Sequence, residues 1–154
     1  RKTSTGASTV SIQPKDISMP RVSQLYLKTA ILFLLIGIGM GLQMSISGVH
    51  NVTGAHAHAN LLGWVTMALF GGYYALNPAK AQARLALVQY GVYTAGVVIM
   101  VPALYLMLSG DPSLEPFVAA GSMIAFLGVI LFAFVVFAPD RKPAASATHP
   151  AAAE

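Results

Sequence analysis

The chain has 154 residues, of which 56% are hydrophobic and 9% are charged. Soluble domains carry about 25% charged residues, so this composition is typical of a membrane protein. The sequence has no cysteine, which excludes disulfides, thiolate metal sites, thiolate-bridged copper centres and covalently attached c-type haem. The net charge of +4 reflects basic residues placed around apolar stretches, and it gives no reason to expect a nucleic-acid partner.

Four apolar stretches are long enough to cross a bilayer, which requires about 20 residues as a helix. They lie near Leu25–Ser47, Ala55–Leu76, Arg84–Leu108 and Leu114–Ala138. Short loops make sequential helices antiparallel, so the sequence predicts an all-α, integral membrane four-helix up-down bundle over residues 25–138. Residues 1–24 are expected to form a flexible N-terminal arm, and residues 139–154 a disordered C-terminal tail.

Basic residues flank alternate ends of the four stretches and predict their orientation. They lie around the start of the first stretch, between the second and third, and after the fourth: Arg1, Lys2, Lys15, Arg21, Lys28, Lys80, Arg84, Arg141 and Lys142. Lys and Arg gather on the cytoplasmic side of membrane proteins. We therefore expect both termini in the cytoplasm of a bacterium, and the loop over residues 48–54 at the periplasmic face of its inner membrane.

The second stretch begins with the residues most typical of a functional site, in the run His56-Ala-His58-Ala-Asn60-Leu-Leu-Gly-Trp64. Such side chains are costly at membrane depth, so a cluster of them favours a site. Residues two apart point about 200° apart around a helix, so His56 and His58 lie on different faces. The competing interpretation, equally weighted, is that both histidines are hydrated at the level of the lipid headgroups.

The runs His58-Ala-Asn60-Leu-Leu-Gly-Trp64 and Phe70-Gly-Gly-Tyr-Tyr74-Ala-Leu-Asn-Pro78 resemble the second helix of the catalytic subunit of haem–copper oxidases. The nitric oxide reductase and cbb-type branches are the most similar, as are short bacterial membrane proteins described as oxidase-like. In that family the histidine at the position of His58 is an axial ligand of low-spin haem b. The resemblance implies a haem b-binding protein that acts in electron transfer or as a haem-bearing accessory subunit of a respiratory complex.

The second axial ligand is left open by the sequence. Within the chain the candidates are His56 and His50, with methionine as a further possibility because thioethers also ligate haem iron. A haem shared between two chains, with one histidine from each, is equally compatible. The other metal ligands of the family come from helices that have no counterpart here, so we expect no catalytic activity from the isolated chain.

Copper is an alternative cofactor. Methionines fall in the same half of the predicted bundle as the histidines: Met40, Met44, Met107 and Met123. Thioether and imidazole ligands suit Cu(I), which would be held by His56, His58, Met40 and Met44. The competing interpretation is that these methionines fill gaps in apolar packing.

The third interpretation is a cofactor-free accessory subunit of a larger membrane complex, or a homodimer. Gly37-x-x-x-Gly41 permits close helix approach, and small residues on the fourth stretch offer further docking surfaces: Gly121, Ser122 and Gly128. On this interpretation Asn60 forms a hydrogen bond across helices. We also expect Gln43, the one polar side chain near the end of the first stretch, to form a hydrogen bond with a histidine.

Overall fold

The computed structural model describes residues 18–139, and all the secondary structure in that range is helical. The elements are α1 (Arg21–Ser47), α2 (Thr53–His58), a π-helical segment (Ala59–Thr66), α3 (Met67–Leu76), α4 (Pro78–Ala81), α5 (Arg84–Leu108), a 3-10 turn (Pro112–Leu114) and α6 (Glu115–Phe137). Three helical stretches are long and apolar enough to cross a membrane: Arg21–Ser47, Arg84–Leu108 and Pro112–Phe137. The chain is thus all-α and has the helices of a multi-pass membrane protein.

The predicted start of the first helix was four residues too late. Helix α1 begins at Arg21, so the arm expected over residues 1–24 includes helical residues at its end. Pro20 is the residue just before the helix, and its carbonyl accepts a hydrogen bond from the Gln24 N–H at 3.1 Å. Residues 1–17 of the arm and 140–154 of the tail lie outside the described residues.

The second apolar stretch is helical from residue 53 to residue 76, but its winding changes on the way. Backbone dihedrals stay helical at both junctions, at Ala59 (φ −58°, ψ −42°) and at Met67 (φ −65°, ψ −39°). The buried residues recur every fourth position at the start: Ala55, Ala59, Gly63 and Met67. In a regular α-helix each such step overshoots by about 40°, so the wider π winding is what keeps them on one face.

Side-chain donors bind backbone carbonyls in and beside the π segment. The Thr66 hydroxyl donates to the Leu61 carbonyl at 2.8 Å, and the Tyr93 hydroxyl of α5 donates to the Leu62 carbonyl at 3.1 Å. In a membrane, irregular backbone persists only where neighbouring side chains satisfy its polar groups. These bonds therefore stabilise the π segment against rewinding.

Glycines let α5 and α6 pack backbone to backbone. A β-carbon added at Gly121 would lie 2.7 Å from the Met100 nitrogen, and one at Gly128 would lie 2.7 Å from the Tyr93 Cα. Gly96 of α5 meets the Ala125 backbone in the same way. Ser122, the third small residue named on the fourth stretch, is exposed. Its hydroxyl donates to the Val118 carbonyl of its own helix and lies 3.2 Å from the Met100 sulfur of α5.

A fully buried glutamine joins α1, α3, α5 and α6. The Gln89 Oε1 atom accepts hydrogen bonds from the Tyr26 hydroxyl at 2.6 Å and from the Tyr74 hydroxyl at 3.2 Å. Its Nε2 atom donates to the Gly128 carbonyl at 3.2 Å. The Tyr26 and Tyr74 rings are also stacked, with centroids 6.1 Å apart. Because every polar atom of this cluster has a partner, the cluster fixes the relative positions of the four helices.

The two ends of the molecule differ in charge. At one end the Lys80 Nζ atom donates to the Val136 carbonyl of α6 at 3.1 Å. All basic residues in the described range lie in this half: Arg21, Lys28, Lys80 and Arg84. At the opposite end, which we call the histidine end, the Asn51 side chain in the loop before α2 donates to the Leu108 carbonyl at 3.1 Å. Asp111 and Glu115, the acidic residues of the described range, lie at the histidine end.

Candidate functional site

His56 is packed against α1 at the Gly37-x-x-x-Gly41 pair. Its Nδ1 atom lies 2.8 Å from the Gly37 carbonyl oxygen, and a β-carbon on Gly41 would lie 3.1 Å from its Cε1 atom. The two glycines therefore leave room for side chains of the second helical stretch. The imidazole occupies the space over Gly41 and contacts the Gly37 carbonyl.

Asn60 lies beside His56 and completes the contact with α1. A β-carbon on Gly37 would be 2.5 Å from the Asn60 Nδ2 atom and 2.6 Å from Oδ1. The amide donates to the His56 carbonyl of its own helix at 2.8 Å. The prediction of a hydrogen bond across helices was therefore wrong. Asn60 packs against α1, and its amide donates to the backbone of its own helix one turn earlier.

His58 is exposed and lies on another face of the helix. Its Nδ1 atom is 2.7 Å from the Gly54 carbonyl oxygen, four residues earlier on the same helix. Further along the same helical stretch, Val65 and Leu69 are also exposed, at 41% and 67%. The two histidines thus lie on different faces, as their spacing predicts, with His56 against α1 and His58 on the outer surface of the chain.

His50 occupies the exposed loop between α1 and α2. Its Nδ1 atom lies 3.1 Å from the Gly48 carbonyl oxygen, and its own carbonyl accepts a hydrogen bond from the Thr53 hydroxyl at 2.8 Å. The loop turns at Gly48, whose φ of 69° lies in the left-handed region that favours glycine. His50 is therefore held by local bonds at the end of α1.

The three histidines within residues 18–139 share one property: the Nδ1 atom of each faces a backbone carbonyl. A carbonyl oxygen can only accept, so Nδ1 donates its hydrogen in each case, and in the neutral ring Nε2 keeps its lone pair. Metal-ligating histidines commonly have this arrangement, because the bond at one nitrogen orients the ring and raises the basicity of the other. Of the three rings, that of His58 has this arrangement and is also exposed on a helix face.

Three methionines of the copper alternative lie in different surroundings. Met44 is buried, and its sulfur lies 3.6 Å from the Thr53 hydroxyl oxygen, which donates to the His50 carbonyl. Met40 lines a cavity between α1 and α5 that has no histidine in its lining, while Met123 on α6 is 71% exposed. Within residues 18–139, no three His, Cys, Asp or Glu side chains come close enough together to hold a metal ion.

Gln43 has a different partner from the one expected. The Tyr105 hydroxyl of α5 donates to the Gln43 Oε1 atom at 2.9 Å, so this glutamine contacts a tyrosine rather than a histidine. The sequence contains a signal for this pair, because Tyr105 and Gln43 both lie near helix ends on the same side of the predicted bundle.

No family model, curated protein or solved structure matches this chain.

Proposed function

We propose that the chain is a four-helix subunit of a bacterial inner-membrane respiratory complex that presents His58 as an axial ligand of haem b. One observation carries the proposal: the His58 ring is exposed on a helix face, with Nδ1 bonded to the Gly54 carbonyl and Nε2 available. The same helical stretch exposes the apolar side chains of Leu61, Val65 and Leu69, which suit contact with an apolar macrocycle. The resemblance of this helix to the haem–copper oxidase catalytic subunit supports the same residue.

The second ligand comes from another chain in this proposal. His56 is held against Gly37 and Gly41 on a different face, so it serves the packing of α1 rather than the same iron. A second copy of the chain or a partner subunit supplies the other ligand, which makes the haem a bridge between two proteins. Haem held by His58 would supply one-electron chemistry, and the role of the chain would be electron transfer or support of a larger electron-transfer complex.

The membrane arrangement belongs to the same proposal. Residues 53–76 would form the fourth crossing, so the helices run up and down and both termini are cytoplasmic. Two observations support this: the helical pieces follow one another with helical dihedrals at both junctions, and all described basic residues lie in the half opposite the histidine end. The basic half would face the cytoplasm. His50, His56 and His58 would then lie on the periplasmic side.

A dithionite-reduced minus oxidised absorption spectrum of the full chain, purified in mild detergent, tests the proposal. We expect a b-type spectrum, with half a haem per chain for a homodimer and up to one haem per chain when a different subunit supplies the second ligand. His58→Ala should remove the signal, whereas His50→Ala should keep it. A chain without haem, alone and in its native membrane complex, or a His58→Ala variant with unchanged haem, would overturn it.

A cofactor-free accessory subunit is the second candidate, and the packing of His56 favours it. Two of the polar residues of the site, His56 and Asn60, fill the space over Gly37 and Gly41, which is a structural role. In that case the chain is colourless as isolated and co-purifies in fixed stoichiometry with larger membrane subunits. His58→Ala would then leave the composition of that complex unchanged.

A further inference from the structure

A cavity of about 400 Å³ lies between α1 and α5, toward the histidine end but separate from the histidines. Its lining is apolar except at one end. The residues that define it are Phe33, Ile36, Met40 and Gln43 on α1 and Pro102 and Tyr105 on α5. Small-molecule sites commonly have about this volume, with apolar walls and a few placed polar groups.

The two polar side chains that line the cavity, Gln43 and Tyr105, form a hydrogen bond with each other, and the N–H groups of the Gln43 amide remain able to donate. The Tyr105 hydroxyl donates to the Gln43 Oε1 atom at 2.9 Å. This bond orients the amide and leaves both hydrogens on Gln43 Nε2, which can donate to an acceptor oxygen. A ligand that complements this end of the cavity therefore carries an acceptor oxygen, such as that of a carbonyl group.

The surroundings of the cavity indicate how a ligand would enter and what charge it would have. Ile36 is 48% exposed and Leu106 is 51% exposed, so the cavity opens on an apolar side of the helices where a lipid-soluble molecule has access. The described Lys and Arg residues all lie in the opposite half of the molecule. A phosphate headgroup would meet no cationic side chain of residues 18–139 here, whereas an uncharged carbonyl head requires none.

We propose that this cavity binds an uncharged lipid-soluble quinone, with a ring carbonyl accepting from Gln43 and the ring and the start of its tail against Phe33, Ile36 and Met40. Tyr105 holds the Gln43 amide in the donating orientation and is a positioning residue. The inference does not rest on haem binding, because no histidine lines the cavity.

The test is calorimetric titration of a short-chain benzoquinone into the full-length chain in detergent, with a titration into empty micelles subtracted. We expect saturable binding at one quinone per chain. Gln43→Leu should weaken it at least tenfold, and Ile36→Phe, which fills the cavity, should abolish it. Tyr105→Phe should weaken it less, since the amide itself remains.

Tyr90→Phe is the matched control. Tyr90 also lies on α5 and forms a hydrogen bond with α1, to the Thr29 hydroxyl at 2.8 Å, but it does not line the cavity. Its removal should leave the quinone affinity unchanged. Lack of saturable binding by the wild-type chain would overturn the proposal, as would equal affinities of wild type and Gln43→Leu. Displacement of the quinone by phosphatidylglycerol at similar concentration would also overturn it.

The reduced minus oxidised spectrum of the same preparations separates this proposal from the haem proposal. Gln43→Leu and Ile36→Phe should leave the haem content as it is in the wild type, while His58→Ala should leave quinone binding as it is. Either proposal can therefore fail without the other.

Discussion

Gly37 and Asn60 occupy space that only one side chain can fill: a β-carbon on Gly37 would lie 2.5 Å from the Asn60 Nδ2 atom. The same glycine offers its carbonyl to His56 at 2.8 Å. A single backbone position on α1 therefore receives both polar side chains that the second helical stretch directs toward it. This contact decides how closely α1 approaches the histidine end of α2.

Gly37→Ala should destabilise the folded chain, because the new methyl group forces Asn60 or α1 to move. Overpacking of this kind costs about 1–3 kcal/mol. The midpoint of thermal unfolding in mild detergent measures it. Gly39→Ala is the matched control: a β-carbon there has nothing within 4 Å, so the variant should be as stable as the wild type or slightly more stable. Equal losses in both variants would contradict this account of Gly37.

His56→Ala and His58→Ala should change the free energy of unfolding by different amounts. His56→Ala removes a partly buried hydrogen bond and the packing over Gly41, which should cost about 1–3 kcal/mol. His58→Ala removes an exposed side chain and should change stability by about 0.5 kcal/mol or less. Thermal unfolding of haem-free preparations gives both values. A larger loss for His58→Ala than for His56→Ala would be inconsistent with the packing described here.

Gln89→Leu should destabilise the bundle, since it leaves the buried Tyr26 and Tyr74 hydroxyls without their shared acceptor. We expect a loss of about 1–3 kcal/mol of unfolding free energy. Gln82→Leu is the control, because Gln82 is exposed in the segment before α5 and should be nearly neutral. Chemical unfolding in mixed detergent micelles compares the two. An unchanged unfolding transition for Gln89→Leu would show that the cluster adds little stability.

Gly121→Ala should weaken the contact between α5 and α6, because the added methyl group would lie 2.7 Å from the Met100 backbone nitrogen. Backbone atoms cannot rotate away as a side-chain end can, so the helices must move apart. A lower thermal midpoint and faster proteolysis are the expected readouts. Gly91→Ala, at a position with nothing within 4 Å, should show neither effect.

The orientation can be tested by cysteine labelling, since the chain has no cysteine of its own. Ser109→Cys and Gln82→Cys place single thiols at exposed positions at opposite ends of α5. In intact cells a membrane-impermeant maleimide should label the first variant alone. After permeabilisation it should label both. Labelling of Gln82→Cys in intact cells would reverse the proposed orientation.

Hydropathy was enough to find the three long apolar helices α1, α5 and α6. The third predicted stretch, Arg84–Leu108, matches α5 at both ends, and the fourth differs from α6 by one residue at each end. The ends of these helices are determined by local sequence, because loop residues such as Ser109 and Gly110 interrupt the apolar run. The change of winding at Ala59–Thr66 was not predicted, since it depends on donors such as Tyr93 that come from another helix.

Those features of the candidate site that depend on the geometry of a single helix could be predicted from the sequence. The separate faces of His56 and His58 follow from helical geometry alone. The contact of His56 with Gly37 needed knowledge of which helix lies opposite, and the sequence pattern gave no pairing. The same limit explains why Gln43 was assigned a histidine in place of Tyr105. Gln89 was missed although a lone glutamine in an apolar helix is itself a signal of a buried hydrogen-bond cluster.

The π segment makes the second helical stretch sensitive to its length as well as to its composition. It sets the angle between His56 on one side and Tyr74 on the other, and both contact α1. If residues 59–66 rewound as an ordinary helix with their number unchanged, one contact would turn relative to the other, because an ordinary helix turns further per residue than a π-helix. Deleting one residue between Leu61 and Thr66 turns the contacts in the opposite direction, so the winding of the segment and the number of its residues together keep both contacts on α1.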